Sequence, residues 1–319
     1  MERLAQDRNN DCDLACPEQI VVATDLADAE RLIPYAIAEA KVNLAALTFV
    51  HAMQPDDTAE SKSGVAATPR ANRSADIRAA MEEITKLVRA AGVSCSTVVK
   101  SGPVADVVIE MIRRTGAGRL IVGTHARQGV DKFLLGSVAR KLLESADVPV
   151  FIVGPQCKQA SAGWSIKNIL LASSSLNKST PKAIVARSIA QHCNAQLTVL
   201  HVLTPDEHTT PEQQSTHGRS GTPAAMLLRR SDNEDVGQKL LARVTADDPA
   251  IEIVRVANEI SADLIVIGVH HYPFHLPFGK EATAYRVLAS APCPVLTLKS
   301  DSALIRRHAL TEARHTAVL

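Results

Sequence analysis

No uninterrupted apolar stretch in this chain approaches the roughly 18 residues needed to cross a bilayer, and the opening MERLAQDRNNDCDLACPEQ holds no apolar core of a secretory signal. An excess of one charge is missing too. Lys and Arg number 35 against 34 Asp and Glu, which leaves no whole-chain basic field to draw the protein onto nucleic acid. Cysteine is sparse: Cys12, Cys16, Cys95, Cys157, Cys193 and Cys293 lack the density of a secreted disulfide scaffold. Cys12 and Cys16 are followed by no second ligand pair at a zinc-site spacing, so no metal site is expected. These absences point to a cytoplasmic protein with reduced thiols, no membrane segment and no nucleic-acid partner. What is present is apolar, 46% of 319 residues, ample for sizeable cores and long enough for two domains.

The chain repeats itself at a period of about 145 to 150 residues. IVVATD from Ile20 matches ILLASS from Ile169, LTFVH from Leu47 matches LTVLH from Leu197, and the Gly102-Pro103 turn matches Asp248-Pro249. LIVG from Leu120 then matches IVIG from Ile265, and VPVFIV from Val148 matches CPVLTL from Cys293, all in one order. These short, non-alternating runs read as parallel strands buried on both faces. Between them Ile77, Met81, Ile84 and Val88, then Val104, Val107, Val108, Met111 and Ile112, recur at helix spacing. The alternation predicts an α/β fold of two doubly wound sheets. Pro34, inside a helical stretch from Asp28 to Lys41, predicts a late start or a kink. The expected organisation is a polar leader (1–17), a first domain (18–155), a linker (156–163), a second domain (164–300) and a tail (301–319). Segments 54–73 and 204–222, rich in Ser, Thr, Pro and Gly, read as matched surface insertions. His51 and His201 end the second strand of each copy, and their matched placement argues for a role in the fold.

The fourth strand of the first copy runs into IVGTHARQGVDKFLLGSVARKLL. Gly123 ends a strand, where a missing β-carbon lets a ligand approach the sheet's carboxyl edge. Gly136 and Ser137 open a helix whose free amides and dipole suit phosphate oxygens. The same residues also fit a plain strand end and helix cap; the register of strand, spacing, Asp25 and helix start favours the phosphate reading. With Gly123, Ala126, Gly136 and Ser137 at these spacings, the chain resembles the ATP-binding universal stress proteins, whose pattern is glycine, two residues, glycine, nine residues, then glycine and serine or threonine. Alanine at 126 is the departure. The resemblance spans about Ile20 to Leu298 and implies two tandem Rossmann-like (adenine nucleotide alpha hydrolase-like) domains, each with five parallel strands. It further implies a nucleotide site in the first domain made by Ala23, Thr24, Asp25, Ala52, Val122, Gly123, His125, Ala126, Arg127, Gly136, Ser137 and Val138, with ATP or another adenine nucleotide as ligand and Mg2+ accompanying it. Asp25 would meet the adenosine half. Arg127 suits an anion better than His125, for which a structural role stands equally open. No base is paired with these residues in sequence, so at most weak ATP hydrolysis is expected and no catalytic residue is assigned.

In the second copy the corresponding stretch is GVHHYPFHLPFGKEATAYRVL, with His271 for Ala126, Glu281 for Gly136, Ala282 for Ser137 and, earlier, Ser174 for Asp25. A carboxylate at the phosphate position repels the ligand. His270, His271 and His275 read as a proline-stiffened loop. The expectation is a regulatory protein with one nucleotide per chain, its two fifth strands lying at sheet edges and packing the domains into an intrachain pseudo-dimer, with a further homodimer open. A nucleotide-free stress scaffold and a slow ATPase are the alternatives.

Overall fold

The apolar runs become strands because neither face is left for water. In the computed structural model, which describes residues 16–53, 70–124, 136–161, 163–173, 180–203, 238–244, 248–269 and 280–299, the first half runs β1 (Gln19–Ala23), α1 (Ala29–Asn43), β2 (Ala46–Met53), α2 (Arg70–Ala90), β3 (Cys95–Ser101), α3 (Val104–Thr115), β4 (Arg119–Gly123), α4 (Ser137–Ser145) and β5 (Val150–Val153). The second half runs β6 (Asn168–Ala172), α5 (Pro181–Cys193), β7 (Gln196–Leu203), β8 (Gln238–Val244), α6 (Pro249–Glu259), β9 (Leu264–Val269), α7 (Lys280–Ser290) and β10 (Val295–Lys299). All strands join one sheet in the order β3-β2-β1-β4-β5-β10-β9-β6-β7-β8. Each half thus has the parallel doubly wound order 3-2-1-4-5, whose direction reverses between its first and fourth strands and leaves a crevice at their carboxyl ends.

The amphipathic spacing of α3 is realised as read: Ala105, Val107, Val108, Met111 and Ile112 are buried, and the helix ends at Gly116 in the left-handed region with φ 64°. Helix α1 begins at Ala29 and carries Pro34 inside it, so the late start does not occur. The carbonyl that loses its donor belongs to Glu30, an exposed residue where water replaces the bond. Helix α2 starts at Arg70 and takes up the last four residues of the stretch read as an insertion. The rest of that stretch (54–69), the segment 204–222, most of the leader, the loop 125–135, Ser174, the His270 to His275 loop and the tail 301–319 lie outside the described residues.

The two fifth strands are edges only of their own halves. β5 and β10 pair antiparallel with Ile152 opposite Val295 and Phe151 opposite Leu296, and the Thr297 hydroxyl adds a bond to the Val150 carbonyl at 3.2 Å. The free edges among the described strands are instead β3 and β8. Each sheet face carries one apolar cluster, and each cluster draws on both halves: Val22, Tyr35, Phe49 and Phe151 share one with Val185, Ile189 and Leu296, while Val21, Val108 and Ile152 share the other with Val256, Leu288 and Val295. The segment joining the halves is tightly held, with Cys157 and Ala160 buried and the Lys158 amide bonded to the Pro292 carbonyl at 3.2 Å. Beneath β4, Arg119 and Glu39 form an ion pair in which both side chains are buried. Among the described residues no helix is long and apolar enough to cross a membrane.

Candidate functional site

The crevice of the first half is assembled by strand register. Ala23 ends β1 between Val50 of β2 and Val122 of β4, and the Thr24 amide extends the ladder to the Val50 carbonyl at 3.1 Å. This brings Ala23, Thr24 and Asp25 beside Ala52, which follows His51 near the end of β2, and beside Val122 and Gly123 at the end of β4. Val122, Ala23 and Thr24 are buried; Asp25 is exposed. The His51 Nδ1–H donates to the Thr24 carbonyl at 3.0 Å, and His201 makes the same bond to Ser173 at 2.9 Å in the second half, so both imidazoles tie the ends of two neighbouring strands together.

Gly136, Ser137 and Val138 reach the same edge by a different route. Helix α4 returns from the carboxyl end of β4 to the start of β5, so its amino end lies at the crevice side of the sheet. Gly136 is its N-cap with φ −57° and ψ 149° and no side-chain cap, Ser137 is exposed, and a β-carbon built on Gly136 meets nothing within 4 Å. Gly136, Ser137 and Val138 are all exposed, so the first turn of α4 lies at the surface with the positive end of the helix dipole behind it. His125, Ala126 and Arg127 lie outside the described residues.

Three residues that sequence reasoning passed over occupy the crevice as well. Between β1 and α1 the chain turns through Leu26, whose φ of 73° is in the left-handed region. The turn is held by the Thr24 hydroxyl, which accepts from the Leu26 amide at 2.9 Å, and by the Asp25 carboxylate, which accepts from the Asp28 amide at 3.2 Å. Asp28, buried, accepts on Oδ1 from the Thr24 hydroxyl at 2.6 Å and places Oδ2 2.1 Å from where a β-carbon of Gly123 would stand. Glycine at 123 thus makes room for the Asp28 carboxylate, where the sequence suggested open space for ligand backbone contact. Arg31 donates from Nη2 to the carbonyls of Thr124, at 3.2 Å, and Val153, at 3.1 Å, tying α1 to the ends of β4 and β5. The Thr124 hydroxyl is buried and has no hydrogen-bond partner among the described residues. The only hint of this group in sequence is the spacing Asp25, Asp28, Arg31, which reads as an ordinary charged first turn of a helix. Nothing in it says that Asp28 turns back toward the sheet.

Chemically, the crevice offers a carboxylate acceptor at its β1 side, a second against β4 and a donor-lined helix end at α4. Among the described residues no group of three or more His, Cys, Asp or Glu side chains is placed to hold a metal ion. A surface groove of about 450 Å³ lies elsewhere, between α3 and α4 along Ala105, Asp106, Ile109 and Arg113, away from the strand ends.

The Universal stress protein family matches the chain twice, over residues 17–154 and 165–299. A universal stress protein of Mycolicibacterium smegmatis is 25% identical over 292 residues, 88% of this chain and 96% of its own length. Universal stress protein MJ0531 of Methanocaldococcus jannaschii is 30% identical over 74 residues, and that match spans 44% of the relative and 23% of this chain. Among solved structures, a universal stress protein from Archaeoglobus fulgidus superposes with a TM-score of 0.63 at 18% identity, covering 89% of this chain and 98% of its own.

Proposed function

The chain belongs to the universal stress protein family, and from that premise we propose that its first half is a receptor for an adenine nucleotide while its second half serves as a built-in pseudo-dimer partner. The observation that supports this best is the amino end of α4. Gly136 is exposed and leaves room for a side chain there, at the carboxyl edge of the sheet and on the side of the β1–β4 switch point. In this reading the phosphates lie against the amides of Ser137 and Val138, the Ser137 hydroxyl adds a donor, and Asp25 accepts hydrogen bonds from the adenosine half. ATP is the working ligand, with Mg2+ carried on its phosphates. The role is regulatory, in a stress response of the cytoplasm, through the occupied or empty state of the site.

One observation favours a second reading. The Asp28 carboxylate stands in the space above Gly123, and a negative charge there opposes a polyanion placed directly on the strand end. That favours a nucleotide-free scaffold in which both halves serve only association. Isothermal titration with ATP separates the two, and Gly136→Glu supplies the control. Because a side chain at 136 meets nothing within 4 Å, this variant should keep its melting temperature within a few degrees yet lose affinity by about 100-fold or more, from a carboxylate facing phosphate. Binding that survives the substitution would place the ligand elsewhere; no binding by the wild type would favour the scaffold. Turnover with excess ATP and magnesium tests weak hydrolysis independently.

A further inference from the structure

We propose that Asp28 is a specificity-determining residue of the first-half crevice: its carboxylate, set against Gly123, accepts a hydrogen bond from the ribose of the bound nucleotide and makes the site prefer ribonucleotides to their deoxy counterparts. This rests on the nucleotide reading above and deepens it.

Asp28 is the residue preceding α1, where an aspartate ordinarily turns forward and accepts from the amides of the first helical turn. Here it makes no such cap. The side chain turns back across the crevice, bonds the Thr24 hydroxyl at 2.6 Å, and brings Oδ2 to 2.1 Å from the position that a β-carbon on Gly123 would occupy. Any residue but glycine at 123 would have to displace it. A helix cap is given up, and a β-carbon with it, so that one carboxylate sits at the end of β4.

Beside it stands a polar group buried at the same strand end. Thr124 follows Gly123, is 6% exposed, and its hydroxyl has no hydrogen-bond partner among the described residues. Buried hydroxyls are nearly always paired, so an orphan at the strand end where a ligand is expected points to a partner supplied by that ligand.

Charge selects which part of the ligand lies there. A carboxylate only accepts, and phosphate oxygens only accept at neutral pH, so phosphates are directed away from Asp28 and toward the amino end of α4. The donors of an adenine nucleotide are its sugar hydroxyls and the exocyclic amine of its base, and of these the hydroxyls adjoin the phosphates, so they are the donors nearest to the β4 end when the phosphates lie at α4. A carboxylate accommodates about four hydrogen bonds, so it can accept from a sugar hydroxyl in addition to the contacts it makes within the chain. The second half reverses the chemistry: a β-carbon on Gly268 would meet the Lys182 side chain, with Cδ at 3.4 Å and Nζ at 3.7 Å. An ammonium cannot accept from a hydroxyl, which confines the device to the first half.

The test is titration of the full-length chain with AMP, 2′-deoxy-AMP and 3′-deoxy-AMP. Wild type should bind AMP about tenfold more tightly than at least one deoxy analogue, as expected for one hydrogen bond to a charged group. Asp28→Ala should bring that ratio close to one, chiefly by weakening AMP. Because Asp28 is buried, two further variants guard against a folding failure. Asp28→Asn keeps the shape with a neutral acceptor and should lower the ratio several-fold, and Gly123→Ala, whose β-carbon must displace the carboxylate, should reproduce the Asp28→Ala result. A ratio near one in wild type, or an unchanged ratio in any folded variant, overturns the role of Asp28 and leaves the nucleotide site standing. Failure of wild type to bind ATP or any of the three monophosphates overturns the nucleotide reading and this inference with it.

Discussion

At the scale of single residues, the thiols show how the joint between the halves was made and how it fails. Burial pushes the Cys157 thiol from the usual 9.0 up to about 12, partly offset by the Gly154 amide, which donates to its sulfur at 3.1 Å. Cys193 is raised to about 11 for the same reason, and Cys293, buried near Cys157, is raised further. Such thiols stay protonated and are poor nucleophiles at neutral pH. The linkage runs one way. Below pH 9 both folded and unfolded chains keep the Cys157 proton; above it the unfolded chain loses that proton while the folded chain holds it to about pH 12, so stability is lost as pH rises through this window. Cys157→Ser keeps an acceptor for Gly154 and removes the titration. Melts between pH 8 and 10.5 should therefore show a shallower decline for the variant, by about 1 kcal/mol per pH unit above 9. Parallel slopes would show that Cys157 does not carry the loss. Residue chemistry of this kind was only partly legible in the sequence. The free thiols among the described residues agree with their sparseness in sequence, and Asp25 and Gly123 stand at strand ends as read. Asp28 was not legible, because its turn toward Gly123 is a choice of rotamer made by the tertiary structure.

At the scale of elements, what sequence reveals well is burial on both faces. β1, β2, β4 and their repeats were visible as Val, Ile and Leu runs because each is covered on two sides. The edge strand β3, half exposed along most of its length with the sequence CSTVVKS, gives no such run. The fifth strands were legible as apolar edges in need of cover, but not their antiparallel pairing, since periodicity within a strand says nothing about the direction of its neighbour. That pairing brings backbone to backbone. Gly154 follows β5, and a β-carbon there would stand 2.7 Å from the Leu288 carbonyl oxygen of α7. Neither group is the end of a flexible side chain, so the two halves must separate locally to admit a methyl group. Gly154→Ala should cost about 1–3 kcal/mol by overpacking, whereas Gly163→Ala, open to solvent on the same connection, should change little. Trp164 is the chain's single tryptophan and packs edge-on against Tyr35 at 4.8 Å, with Phe151 at 6.5 Å. Its fluorescence follows the joint directly, and an unperturbed spectrum and melting temperature in Gly154→Ala would show that the contact is slack.

At the scale of the whole molecule, the two halves share a scaffold but not a crevice. Buried positions hold the repeat in register through the last helices: Ala139, Leu142, Leu143 and Ala146 in the first half and Ala284, Val287, Leu288 and Ala291 in the second are all buried at a constant offset. That register sets Glu281, in the first turn of α7, opposite Gly136, the open cap of α4. A carboxylate in a first turn is favourable for its own helix and unfavourable for an incoming phosphate. At the other wall, Gly268 faces Lys182 where Gly123 faces Asp28. Packing demands alone do not account for this, because the strands beneath both crevices are equally buried and pair in the same order. The positions at the crevice differ in charge between the halves while the core positions stay apolar and buried, and the second half contributes to both apolar clusters and to the β5–β10 seam. The expected stoichiometry is therefore one adenine nucleotide per chain. Titration of the intact protein should give a value near one, and Gly136→Glu should leave no site of wild-type affinity. A value near two, or a surviving site in the Gly136→Glu chain, would mean that Glu281 tolerates phosphate at close range, which requires an intervening cation; repeating the titration with a chelator would then remove the second site and leave the first.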